Sequence, residues 1–250
     1  MVAATERAVR TLLAAIESRD LRAIAGALAA GCTWQNVPHP PAIGRDAVVG
    51  LLAPIVCWSD RVEWEVLSES FGESFGEGSA WVERADHFWI NGADHVVRCN
   101  GVITVDAATG LVTSVRDYVD LGEWRARIRP VLEAMSARPP ADVVSRHLHA
   151  VGRRDTAAMA ADYALDAVLE RAGDVHRGWA EIADYFDTVP QRLGDSRLTL
   201  GTPVVVGAVE VTVGWVIELP GGSSVSGSDH YVVELGRISR QRVTLLGDDF

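Results

Sequence analysis

Four polar residues sit where alternation along a strand calls for apolar ones. Along residues 78–90, Val82, Arg84, Asp86 and Phe88 share one face of an extended segment. Asp117 shares a face with Thr113, Val115 and Val119 in 111–119, and Asn36 shares one with Trp34 on a short strand near the start. Burying a charge without a partner is costly, so the guanidinium and the two carboxylates are expected to meet. Two carboxyl groups bridged by an arginine in an apolar setting titrate as a coupled pair and can hold about one proton between them. One can then give a proton while the other takes one, which is general acid and general base catalysis in a single site. An ion-pair network that only fixes the sheet would use the same residues, and spacing alone leaves both readings open.

The elements that must position these residues are written twice in the chain. Val9, Leu12, Leu13 and Ile16 follow helical spacing within 3–28, which reads as two helices broken at Glu17-Ser18-Arg19-Asp20. The same order recurs with a helix over 143–151, a break at Gly152-Arg153-Arg154-Asp155, and a second helix over 156–164. Gly44 before a helix resembles Gly178, and Gly110-Leu111-Val112 resembles Gly236-Arg237-Ile238. Four long strands are expected in the first copy, at 61–71, 78–90, 94–106 and 111–119. Turn signals stand between them at the glycine-rich stretch 72–78 and at Asn91-Gly92. The seam is Ser136-Ala137-Arg138-Pro139-Pro140, which cannot continue a helix. The expected organisation is therefore α+β, two tandem cone-shaped domains over 1–136 and 141–250. Each is a curved antiparallel sheet wrapped around about three helices, with an apolar hollow suited to a small molecule.

Composition narrows the function classes. A formal net charge of −11 with no basic cluster argues against nucleic acid and anionic membranes as partners. No apolar run approaches the roughly 18 residues of a membrane span, and the charged start lacks an export signal. Cys32, Cys57 and Cys99 have no metal-ligand spacing, and their odd number reads as reduced thiols in the cytoplasm. Glycine-rich phosphate loops, nucleophile elbows and zinc spacings are absent from the sequence.

Three segments together resemble the limonene-1,2-epoxide hydrolase family. They are Trp34 to Val48 (WQNVPHPPAIGRDAV), Glu83-Arg84-Ala85-Asp86, and Arg116 to Leu121 (RDYVDL), in the family's order over most of 5–130. The resemblance implies the cone fold shared with nuclear transport factor 2, and chemistry that uses no metal or organic cofactor. It implies Asp117 as general base on water, Asp86 as general acid on the epoxide oxygen, Arg84 as the bridge between them, and Asn36 as a holder of the water. Trp34, Val82, Phe88 and Val115 are expected to line the substrate pocket, with His39 in the proline-rich loop at its mouth. One departure is Trp34, which stands where the family has a tyrosine. An indole N–H donates a hydrogen bond but accepts none.

The expected activity is acid/base opening of an apolar epoxide of terpenoid or polyketide type, by hydrolysis to a vicinal diol. Ring closure by a hydroxyl of the substrate itself is the alternative, because a tether positions its own nucleophile. A non-catalytic binder of an apolar metabolite and a proton-shifting isomerase are further alternatives. In the second copy, which resembles SnoaL-like domains loosely, Trp215, Ile217, Val243 and Arg171 stand where Arg84, Asp86, Asp117 and Asn36 stand in the first. That copy is expected to serve as a packing partner in an internal pseudo-dimer, with a homodimer as a further option. A separate site on Arg171, Asp229, His230 and Tyr231 is the sharper alternative. His147 and His149, two residues apart on one helix, are expected as surface or boundary residues rather than ligands. Trp58, Trp64, Trp81, Trp89 and Trp124 are expected in core and interface.

Overall fold

Helical periodicity at the start of the chain becomes helix α1 (Val2–Glu17), which buries Val9, Leu12, Leu13 and Ile16 along one stripe. Arg19 adopts a left-handed backbone at φ 60° and ends that run. Asp20 then caps helix α2 (Leu21–Ala27), its carboxylate accepting from the Arg22 and Ala23 amides. The computed structural model describes residues 2–72 and 78–246, and the chain divides into two units, Met1–Glu133 and Ala134–Phe250.

The first unit continues with β1 (Leu28–Asn36), β2 (Ala42–Ile43), α3 (Arg45–Trp58), β3 (Arg61–Phe71), β4 (Ser79–Ile90), β5 (Ala93–Val105) and β6 (Val112–Val119). Of the turn expected at 72–78, residues 73–77 lie outside the described residues. The six strands form one sheet in the order β2-β1-β6-β5-β4-β3. Its pairings are antiparallel except for β1 with β6, which is parallel and aligns Asn36 with Asp117. The β4–β5–β6 register sets Arg84 opposite Cys99 and Asp117 opposite Gly101. Two short helices after the last strand, α4 (Leu121–Arg127) and α5 (Arg129–Ser136), were not expected. Asp120 caps the first of them through the Gly122 and Glu123 amides.

The second unit repeats the plan. It runs α6 (Pro140–Arg153), α7 (Thr156–Ala161), β7 (Tyr163–Arg171), β8 (Asp174–Arg177), α8 (Gly178–Leu193), β9 (Arg197–Leu200), β10 (Val204–Val205), β11 (Glu210–Glu218), β12 (Ser224–Glu234) and β13 (Arg237–Leu246). Arg154 at φ 58° and the N-cap Asp155 reproduce Arg19 and Asp20. Gly44 and Gly178, at φ 92° and 78°, both turn the chain into the helix that lines the hollow of their unit. The sheet order β10-β11-β12-β13-β7-β8, with β9 also on β11, matches that of the first unit read from the other edge. Again one pairing is parallel, β13 with β7, and it aligns Arg171 with Val243. Helix α7 ends at Ala161 rather than 164, because Tyr163 already joins the sheet.

One expectation about the histidines changes. His147 is not at the surface. It lies in the core of the second unit, with its ring edge-on to Tyr163 and Tyr231. His149 is exposed, as helix geometry requires for a neighbour two positions on. No helix among the described residues is long and apolar enough to cross a membrane.

Candidate active site

Alternation on β4 delivers Val82, Arg84, Asp86 and Phe88 to one buried face, and β6 delivers Asp117 beside them. Arg84 is 1% exposed, Asp86 6% and Asp117 4%. The guanidinium donates from Nε to Asp86 Oδ1 at 2.7 Å and from Nη2 to Asp117 Oδ2 at 2.8 Å. Its carbon lies 4.1 Å from the centre of the Trp64 ring, a cation–π contact in a desolvated setting. Trp64 is held there by β3, whose Trp64 amide donates to Glu17 of α1 at 2.9 Å. Arg84 Nη1 and Asp117 Oδ1 are both buried and lack a hydrogen-bond partner.

Burial pushes the Asp86 carboxyl up to about 6; Arg84 opposes the rise and the nearby Asp117 charge adds to it. Burial first, and then the nearby Asp117 charge, raise the Cys99 thiol well above its ordinary value, so it stays protonated. All three cysteines are buried and free.

These groups stand at a cavity of about 80 Å³ walled by Trp34, Asn36, Asp86, Phe88, Cys99 and Asp117 from the sheet, and by Leu52, Ile55 and Val56 from α3. Leu51, 43% exposed, and the half-buried Trp124 of α4 also line it. Of the expected lining residues, Trp34 and Phe88 face this cavity. Val82 and Val115 do not, because they lie further along the same strands, packed into the core. His39 is exposed in the turn after β1 and is also not in the lining.

Sequence reasoning missed Trp64 as the platform for Arg84 and Trp124 as a wall, having assigned both to core and interface. It also missed Gly101. A Cβ at that position would lie 2.5 Å from Arg84 Nη1 and 2.8 Å from Asp117 Oδ1. The signal was legible, since a glycine inside a strand marks the close approach of another group.

In the second unit the aligned positions hold Trp215 and Val243, and no arginine–dicarboxylate cluster forms there among the described residues. Asp229 is nevertheless buried in a cavity of about 90 Å³ with Tyr231, Gln241 and Arg171. His230 points to the other face and pairs with Glu210 at 3.4 Å.

Residues 144–241 match the SnoaL-like domain, and residues 3–128 match the limonene-1,2-epoxide hydrolase catalytic domain. Among solved structures, the chain is similar to an LEH-like epoxide hydrolase of M. tuberculosis, at 22% identity and a TM-score of 0.42, over 55% of this chain and 98% of that one. It is similar to a putative polyketide cyclase of Xanthomonas campestris pv. campestris, at 20% identity and a TM-score of 0.43, over 50% and 97%. A protein from a soil-derived mobile gene cassette matches at 17% identity and a TM-score of 0.43, over 50% and 97%. Both units have the NTF2-like α+β fold. With its catalytic-domain match spanning just over half of the 250 residues, the chain belongs to the limonene-1,2-epoxide hydrolase family.

Proposed function

We propose that the first unit opens the ring of an apolar epoxide by paired proton transfer, with water as nucleophile and a vicinal diol as product. Asp117 takes a proton from the water as its oxygen bonds to a ring carbon. The ring C–O bond breaks, and Asp86 gives its proton to the departing oxygen. The cluster ends the turn with its proton on Asp117 and is reset by exchange with solvent. Arg84 keeps both carboxyl groups in place, and Asn36, aligned with Asp117 on the neighbouring strand, holds the water. The observation that carries this reading is a single guanidinium bonded to both carboxyl groups at an apolar cavity, with one carboxylate oxygen left unpartnered. The raised Asp86 supports its part as acid, since a carboxyl near 6 still holds a proton close to neutrality.

Ring closure by a hydroxyl of the substrate is a second reading, favoured by one residue. Trp34 lines the cavity and offers no acceptor for a free water, whereas a tethered hydroxyl needs less positioning. The mostly apolar lining, with Leu51 and Trp124 in it, supports either reading for a substrate with a hydrocarbon body.

The test is incubation with a panel of apolar epoxides in ¹⁸O-labelled water. Labelled diol is the expected result, an unlabelled cyclic ether indicates ring closure, and no consumption by a protein that still binds the epoxides makes it a binder. Asp117→Asn should lower turnover by at least about 10²-fold with ligand affinity little changed.

A further inference from the structure

The second unit rebuilds the floor of its hollow rather than losing it. In the first unit β5 reads Cys99-Asn100-Gly101, and Gly101 leaves room for Arg84 on β4. At the aligned positions β12 reads Gly227-Ser228-Asp229. The glycine has moved two places, and its neighbour across the ladder is Trp215, which stands where Arg84 does. A Cβ on Gly227 would lie 2.4 Å from the Trp215 ring. Trp215 in turn donates its indole N–H to Asp229 Oδ1 at 3.0 Å. A carboxylate therefore returns to the floor of the cone from the adjacent strand, with a compensating glycine that admits the indole holding it.

Asp229 is fixed from three sides. Tyr231 donates to Oδ2 at 3.0 Å and the Gln241 side-chain amide donates to Oδ2 at 3.1 Å, while Tyr163 donates to the Gln241 carbonyl. A carboxylate has about four acceptor positions, and these contacts fill two on Oδ2 and one on Oδ1. The cavity above is mostly apolar, with Leu148, Phe186, Val189, Leu198 and Ile217 in its wall. As packing alone this arrangement makes little sense, because buried charges exchanged for apolar residues of similar volume are often neutral or stabilising.

We propose that the second unit holds its own small-molecule site, in which Asp229 accepts a hydrogen bond from the hydroxyl of an otherwise apolar alcohol. The ligand's hydroxyl takes the remaining position on Oδ1, and its hydrocarbon body fills the apolar wall. Trp215, Tyr231 and Gln241 all donate to Asp229, so the geometry presents its carboxylate as an acceptor. The site is independent of epoxide opening in the first unit.

The test uses the full chain near neutral pH and two soluble probes of nearly equal shape, cyclopentanol and cyclopentanone. The first can donate a hydrogen bond and the second can only accept one. The reporter is the Trp215 indole N–H resonance, identified by its loss in Trp215→Phe. Cyclopentanol should shift it saturably and bind about tenfold or more tightly than cyclopentanone, and Asp229→Asn should erase that preference. Leu200→Trp, which fills the cavity from the edge strand β9, should abolish the response to both. Equal or tighter binding of the ketone, no saturable shift, or a preference retained in Asp229→Asn overturns the proposal. If that variant fails to fold, the two probes on the unmodified chain decide alone. No epoxide is involved, so failure here leaves the reading of the first unit untouched.

Discussion

Adding one methyl group at Gly101 probes the candidate active site without changing any polar atom in it. Gly101 has an ordinary strand backbone, so alanine meets no conformational penalty there. Its Cβ would, however, stand 2.5 Å from Arg84 Nη1 and 2.8 Å from Asp117 Oδ1. Both distances are below any real carbon contact, and neither neighbour is a free side-chain end. Arg84 is tied to Asp86 and Asp117, and it lies over Trp64. Overpacking of a rigid core costs about 1–3 kcal/mol, and leaving one member of a buried ion pair alone costs about 3–5 kcal/mol. Displacement of the guanidinium that keeps part of one pair should therefore cost about 3 kcal/mol. For a unit of this size that lowers the midpoint of thermal unfolding by about 10 °C. Activity should fall further than stability suggests, because both proton transfers depend on carboxyl groups that Arg84 orients, and each is worth at least about 10²-fold. The assay is kcat/KM on an epoxide that the protein consumes, measured well below both unfolding midpoints. Gly31→Ala is the control, since its Cβ would meet nothing within 4 Å. A Gly101→Ala protein with unchanged midpoint and unchanged kcat/KM would refute the packed cluster and the chemistry drawn from it.

Further outcomes follow from the same geometry. Asp86 donates only while protonated, and the protonated fraction falls as pH rises through about 6, so kcat/KM should drop about tenfold per pH unit above that point; a pH–rate profile flat across neutrality would contradict Asp86 as the acid. Trp34→Tyr gives the cavity an oxygen that accepts hydrogen bonds, so kcat/KM for formation of ¹⁸O-labelled diol should rise; an unchanged kcat/KM would mean that Trp34 does not govern the nucleophile. In the second unit, Asp155→Ala removes the side-chain bond to the Ala158 amide, and denaturant unfolding should show a loss of about 1 kcal/mol.

Much of this was legible in the amino-acid order, and the reason is local. Period-two alternation put Arg84, Asp86 and Asp117 on inward faces, and the rule that buried charges need partners brought them together before any coordinates did. The pattern of an αL residue followed by a capping aspartate, at Arg19-Asp20 and Arg154-Asp155, marked the repeat, because helix ends are set by a few adjacent residues. What alternation could not give was depth. Val82 and Phe88 share a face of β4, yet only Phe88 reaches the cavity, because where a hollow stops depends on which helix and strand close over it. Trp64 and Trp124 became site residues only through contacts from other elements. In the second unit, the repeat offsets registered a lost cluster and offered Asp229 only within a separate set with Arg171, His230 and Tyr231. The register of β12 against β11 and β13 is what set Asp229 on the same floor and turned His230 away, since strand pairing decides which faces meet.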